Sequence, residues 1–146
     1  MATIKKILCA VDFSGSSAQV AGYATELGKS LDAEVVVLYV APSLNQYVGF
    51  HVPPSSIENF VGGIVDGAEQ TMEQFIQDNF EGVQASGRVV TGYAAEEILG
   101  VAKEIGADMI VMGTHGRRGI DRILFGSVAE KVVKSAEKPV MTIRPA

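Results

Sequence analysis

Residues 4–40 read IKKILCAVDFSGSSAQVAGYATELGKSLDAEVVVLYV. The run from Ile4 to Val11 is almost continuously apolar after its two lysines, which predicts a strand buried on both faces, as in a parallel sheet. Apolar side chains then recur at helical spacing over residues 17–30 and predict a helix, with Ser16 or Ser17 available as its N-cap. Glu34 to Val40 repeats the buried-strand pattern. Because two consecutive parallel strands need a crossover connection, this stretch predicts a strand, helix, strand unit.

The same alternation continues through the rest of the chain. Residues 41–53 carry the Pro, Gly, Asn and Ser of a loop, and a capping box from Ser55 to Glu58 opens a second helix. The remaining predicted elements are a strand from Val83 to Val90, a helix from Ala94 to Ile105, a strand from Asp108 to Met112, a helix from Ser127 to Ala136 and a strand from Pro139 to Arg144. Right-handed crossovers place helices on both faces of such a sheet. We therefore predict one α/β domain over residues 1–146, with a doubly wound five-stranded parallel sheet.

Composition and charge exclude several classes of protein. The 146 residues are 47% hydrophobic and 20% charged, which is typical of a packed globular domain. The formal net charge of -5 would repel a phosphate backbone, and basic residues cluster only at Arg117, Arg118 and Arg122. We therefore expect no nucleic-acid partner.

The single cysteine and the apolar runs bear on the cellular compartment. Cys9 excludes an internal disulfide and a cysteine-based zinc site, and its apolar surroundings predict a buried thiol. The apolar stretch after Lys6 is too short for a secretory signal, and prolines and polar residues interrupt the uncharged stretch from Val35 to Ile57. We expect a cytoplasmic protein with no membrane association.

The architecture itself predicts where a ligand would bind. In open α/β sheets, ligands lie outside the carboxyl ends of the strands, where the winding direction reverses. In this chain those ends are Asp12, Val40 and the residues from Gly113 onward. They are the first candidates for a binding site.

The segment from Gly113 to Ser127, GTHGRRGIDRILFGS, has the features of a phosphate site. Glycines let the main chain approach an anion, a helix that begins near Ser127 presents unpaired N–H groups, and Arg117 and Arg118 can neutralise phosphate charge. A purely structural interpretation is also open, in which the glycines make turns and Ser127 caps the helix. The concentration of these residues at the carboxyl end of a strand favours the ligand site.

At this point the sequence resembles the universal stress proteins. The resemblance is carried by the spacing Gly113-x2-Gly116-x9-Gly126-Ser127, by the opening from Ile7 to Ser14, and by the segments over residues 90–98, 128–133 and 138–144. The family members with this glycine pattern form its ATP-binding branch, so the resemblance implies an ATP ligand. It further implies that Gly113, Gly116, Gly126, Ser127 and Val128 line the phosphates and ribose, that Val40 meets adenine through its main chain, and that Asp12 contacts the nucleoside. We add Met112 and Arg117 to the same site; for Arg117 the alternative is an ordinary solvated charge pair with Arg118.

Two residues keep a structural alternative. Asp12 ends a strand, and such an aspartate often caps the following turn through its side chain, so capping and ligand binding stay equally open. His115 has no identifiable nucleophile or partner and is expected to be solvated rather than catalytic.

The leading hypothesis is a nucleotide-dependent regulator of the stress response that is not an enzyme, because the motif shows no base to orient water and no Walker lysine. A magnesium ion on the phosphates is part of this hypothesis, although no protein ligand for it is evident. The alternatives are an adenylyl-transferring or ATP-hydrolysing enzyme on the same architecture and a scaffold that binds no nucleotide. The resemblance also implies a homodimer through the final strand, which a charge at Met141 or Ile143 would disrupt.

Overall fold

The computed structural model describes residues 3–42, 54–115 and 126–145, with the main chain alone for residues 54–61. Within these residues, five strands alternate with four helices. The strands are β1 (Lys6–Ala10), β2 (Glu34–Ala41), β3 (Ala85–Thr91), β4 (Met109–Gly113) and β5 (Val140–Ile143). The helices are α1 (Ser17–Leu31), α2 (Pro54–Asn79), α3 (Ala94–Ile105) and α4 (Ser127–Ser135).

All five strands are parallel and lie in the order β3-β2-β1-β4-β5. The chain first winds outward from β1 through β2 to β3, and then crosses to the other side of β1 to form β4 and β5. The winding direction therefore reverses between β1 and β4, where this class of sheet opens a crevice at its carboxyl edge. The predicted doubly wound fold is confirmed.

Helices cover both faces of the sheet. Because successive side chains of a strand point to opposite faces, Ile7 and Cys9 enter one core cluster while Leu8 enters the other. The first cluster packs under α1 and α2, and the second packs under α3 and α4. In the parts of the chain that the structure describes, no helix is both long and apolar enough to cross a membrane.

The central position of β1 explains the environment of Cys9. Its side chain is fully buried, as predicted, and burial raises the pKa of the thiol to about 12. The thiol is therefore a packing group at neutral pH, because reactive cysteines are thiolates.

Most predicted boundaries fall within a residue or two of the observed ones. The third strand begins at Ala85 rather than Val83, because Val83 instead packs beside Gly28 of α1. Ser16 occupies the N-cap of α1, yet its hydroxyl makes no capping bond to that helix. The proposed capping box of α2 lies among side chains that are not described.

Candidate functional site

A cavity of about 660 Å³ opens at the carboxyl edge of the sheet, at the reversal between β1 and β4. Its walls come from the ends of β1, β2 and β4 and from the first turns of α1, α3 and α4. Seven predicted site residues line it: Asp12, Val40, Met112, Gly113, Gly126, Ser127 and Val128. The other two, Gly116 and Arg117, lie outside the described residues.

The turn after β4 is closed by main-chain hydrogen bonds. The Gly126 N–H donates to the Thr114 carbonyl at 2.7 Å, and the Thr114 N–H donates to the Ile143 carbonyl at 3.0 Å. A Cβ at position 126 would lie 3.2 Å from the same Thr114 oxygen, which is closer than side chains normally approach. Glycine therefore lets α4 begin directly beside the end of β4.

The first turn of α4 lines the cavity. Gly126 is its N-cap, without a side-chain capping bond, and the Glu130 N–H donates to the Gly126 carbonyl at 3.0 Å. The N–H groups of residues 127–129 precede this bond and have no acceptor within the helix. Ser127 is the first helical residue, so the alternative that its side chain caps the helix is wrong. The exposed amides and the helix dipole make this end suitable for an anion.

Two carboxylates near that end of α4 form ion pairs with lysines. Glu130 in the first turn pairs with Lys134, and this hydrogen bond lowers the pKa of the Glu130 carboxyl. Glu96 in the first turn of α3 pairs with Lys131, whose hydrogen bond likewise lowers the pKa of Glu96. Both carboxylates are therefore held by lysines of α4.

The main chain of Val40 faces the opening of the crevice. The β1–β2 ladder ends where the Val11 N–H donates to the Leu38 carbonyl at 2.9 Å. On the other side of β2, the Gly92 N–H donates to the Ala41 carbonyl. Since alternate residues of a strand turn their N–H and C=O to alternate sides, those of Val40 point toward β1, beyond its end. Within residues 3–42, no hydrogen bond from β1 reaches them.

Asp12 lies in the wall of the cavity and also organises the β1–α1 turn. Its Oδ1 accepts hydrogen bonds from the Ser14 N–H at 2.9 Å and from the Ser17 hydroxyl at 3.1 Å. The capping role is therefore present. It does not exclude contact with a ligand, because the side chain still lines the cavity.

Sequence reasoning missed several residues of the wall. His115 was expected to be solvated, but it is half-buried in the cavity wall, with its Nδ1 2.8 Å from the hydroxyl of the buried Thr114. Tyr39, Ala94 and Ile98 also line the cavity, although their sequence context is that of ordinary core residues. The signal that could have found Ala94 is its position at the start of the helix that follows the carboxyl end of a strand.

Among the residues whose side chains the structure describes, no three of His, Cys, Asp and Glu come close enough together to hold a metal ion.

Comparison with known proteins gives a consistent result. The model of the universal stress protein family matches residues 3–144. Universal stress protein MJ0531 of Methanocaldococcus jannaschii is 34% identical over 142 residues, which cover 96% of this chain and 82% of that protein. Universal stress protein MJ0577 of the same organism is 31% identical over 154 residues, which cover 96% of this chain and 94% of that protein.

Solved structures agree with the fold. The structure of MJ0577 superposes with a TM-score of 0.82 at 28% identity, covering 99% of this chain and 98% of that one. A universal stress protein from Archaeoglobus fulgidus, solved in complex with dAMP, matches with a TM-score of 0.65 at 23% identity. The match covers 98% of this chain and 99% of that one.

Proposed function

This chain belongs to the universal stress protein family, and from that premise we propose that it binds ATP in the cavity at the carboxyl edge of the sheet and acts as a nucleotide-dependent regulator of a stress response. The observation that carries the proposal is the first turn of α4, which lines the cavity beside the end of β4 and whose N–H groups have no acceptor within the helix. An anion has a ready-made site there.

The triphosphate is assigned to the α4 end of the cavity. Gly113 and Gly126 leave the main chain uncovered on either side of it, and Ser127 adds a hydroxyl donor. Gly116 and Arg117 lie in the sequence between β4 and α4, and we assign them to the outer phosphates. Mg²⁺ would be held chiefly by phosphate oxygens, as this ion usually keeps several waters and few protein ligands.

The nucleoside is assigned to the opposite end, between Asp12 and Val40. The main chain of Val40 offers one donor and one acceptor on the same side, and adenine carries an amino donor beside a ring-nitrogen acceptor. Apolar side chains, including Val11 and Leu38, complete this end of the cavity. The dAMP complex of the A. fulgidus relative supports an adenine nucleotide as the ligand class.

We propose binding rather than catalysis as the function. The site supplies phosphate contacts, whereas rapid phosphoryl transfer needs a residue that positions the attacking nucleophile. Binding of ATP would then change the conformation of the protein or its association with partners. The enzyme alternative makes a distinct prediction, because adenylyl transfer would release pyrophosphate when ATP and an acceptor are both present.

The experiment that tests the proposal is mass spectrometry of small molecules released from freshly purified protein, followed by calorimetric titration with ATP. We expect an adenine nucleotide in the released fraction and saturable binding of ATP at one site per chain. Absence of any nucleotide, together with no binding at millimolar ATP, would refute the proposal while leaving the fold intact.

We further propose that two copies of the chain pair through β5. This strand is an edge of the sheet, and unpaired edges readily add another strand. The Ile110 N–H donates to the Pro139 carbonyl and the Thr114 N–H to the Ile143 carbonyl, so these odd-numbered residues turn toward β4. The alternate residues, Val140 and Thr142, therefore turn their main-chain groups outward.

The structure changes the choice of residue for testing this pairing. Ile143 is 7% exposed and belongs to the core, so a charge there would disrupt folding rather than association alone. Thr142→Pro instead removes one outward donor, at an edge position where proline is tolerated. We expect the wild type to be a dimer by light scattering, Thr142→Pro to be a monomer, and Thr142→Val, which keeps the N–H, to remain a dimer. A dimeric Thr142→Pro would show that the association does not use this strand.

A further inference from the structure

Phe13 has an unusual main-chain conformation. Its φ is 60°, and in the described residues only one other non-glycine residue, Asp32, has a positive φ. Asp32 closes α1, where the left-handed conformation is common. Phe13 lies instead in the turn between β1 and α1, and a bulky residue is strained in this conformation.

The ring of Phe13 is held by two other aromatic rings. It stacks on Tyr39 with a centroid separation of 4.7 Å and an interplanar angle of 26°, and it meets Phe75 of α2 edge-on at 5.6 Å. Both are favourable geometries for aromatic pairs. The ring is partly buried against the core cluster under α1 and α2, and this packing helps to hold the strained turn.

The two stacked rings belong to the sequence neighbours of the two proposed nucleoside contacts. Phe13 directly follows Asp12, and Tyr39 directly precedes Val40. The hydrogen-bond ladder between β1 and β2 stops one step earlier, at the Val11 N–H, and beyond it the stack joins the β1–α1 turn to the end of β2. The two strand ends are thus connected by side chains at the point where their main chains are no longer paired.

We infer that Phe13 is a positioning residue for the nucleoside: its ring, stacked on Tyr39, fixes the ends of β1 and β2 relative to each other beyond the last bond of the ladder, and so holds Asp12 and the main chain of Val40 in the arrangement the ligand needs. A continued ladder would pair the Val40 N–H with the Val11 carbonyl and remove the donor from the site. The left-handed turn also brings the Ser14 N–H to the Asp12 carboxylate, which fixes the direction of that side chain.

The test rests on the proposed function, and it measures ligand binding at the two ends of the cavity separately. Binding of AMP and of inorganic tripolyphosphate is measured by calorimetry for the wild type and for Phe13→Leu, which keeps an apolar side chain but loses the flat ring. We expect Phe13→Leu to weaken AMP binding by about tenfold, because misplaced contacts lose binding energy steeply. Tripolyphosphate binding should change by no more than about twofold, since distant sites act independently.

Three further variants complete the design. Phe13→Tyr keeps the ring and should bind AMP like the wild type. Tyr39→Leu removes the same stack from its other side and should reproduce the selective loss of AMP binding, which keeps the test usable if Phe13→Leu does not fold. Phe80→Leu is the matched control: this ring packs edge-on against Phe75, is 4% exposed and does not line the cavity.

The outcomes are distinguishable. Normal AMP binding by Phe13→Leu, or a parallel loss of AMP and tripolyphosphate binding, overturns the positioning role. An equal loss of AMP binding in Phe80→Leu also overturns it, because the effect would then come from the aromatic core in general. A wild type that binds neither ligand refutes the proposed function itself, and the inference with it.

Discussion

Replacing Ser127 with aspartate is expected to weaken the binding of ATP by about 100-fold, because a carboxylate in the first turn of α4 would occupy the place of the phosphates and repel them. The residue lines the cavity and is the first of the helix. Calorimetric titration of the variant with ATP measures the effect.

The thermal stability of Ser127→Asp shows whether weaker ATP binding comes from charge repulsion or from unfolding of the protein. A negative charge at a helix N-terminus stabilises the helix by about 0.3–1 kcal/mol, so the thermal midpoint of Ser127→Asp should not fall. Ser135→Asp is the matched control, since it places the same charge at the opposite, exposed end of the same helix. There the charge opposes the dipole and lowers stability slightly, yet ATP binding should be unchanged. ATP binding by Ser127→Asp at wild-type strength would exclude the α4 N-terminus as the phosphate site.

The second large effect concerns stability. Gly28→Ala is expected to lower the free energy of unfolding by about 1–3 kcal/mol, as extra atoms in a packed core usually do. A Cβ on Gly28 would lie 2.6 Å from Cγ2 of Val83, and 3.2 Å from both the Ala33 carbonyl oxygen and Cγ2 of Val35. α1 can therefore pack this closely on β2 only with glycine at that position.

Gly22→Ala provides the opposite result in the same helix. Nothing lies within 4 Å of a Cβ built at Gly22, and the residue is exposed. The substitution should raise the free energy of unfolding by about 0.5–1 kcal/mol, because alanine loses less conformational freedom than glycine on folding. Urea unfolding of the two variants measures both changes. Stabilisation by both would mean that α1 is not seated against Val83 as described.

The candidate site was predictable in part because its determinants are local. Gly113 and Gly126-Ser127 flank a turn between a strand and a helix, and the alternation of elements places that turn at the carboxyl edge of a parallel sheet. Tyr39 could not be predicted in the same way, because its place in the cavity wall depends on which strands are neighbours and on where a ladder stops, and no local pattern records either. His115 lies in the predicted segment itself, but its partial burial beside the Thr114 hydroxyl is a result of packing.

The sequence by itself determined the succession of strands and helices and the parallel pairing, because buried runs and helical periodicity are local properties and a crossover leaves no other connection. It also determined which residues stand at the strand ends. Only the tertiary structure decided the order β3-β2-β1-β4-β5, the contact that seats Gly126 against Thr114, the left-handed turn at Phe13 and the end of the β1–β2 ladder before the main chain of Val40. These features arise from packing between segments far apart in the chain, where the geometry of one element is set by neighbours that its own sequence does not specify.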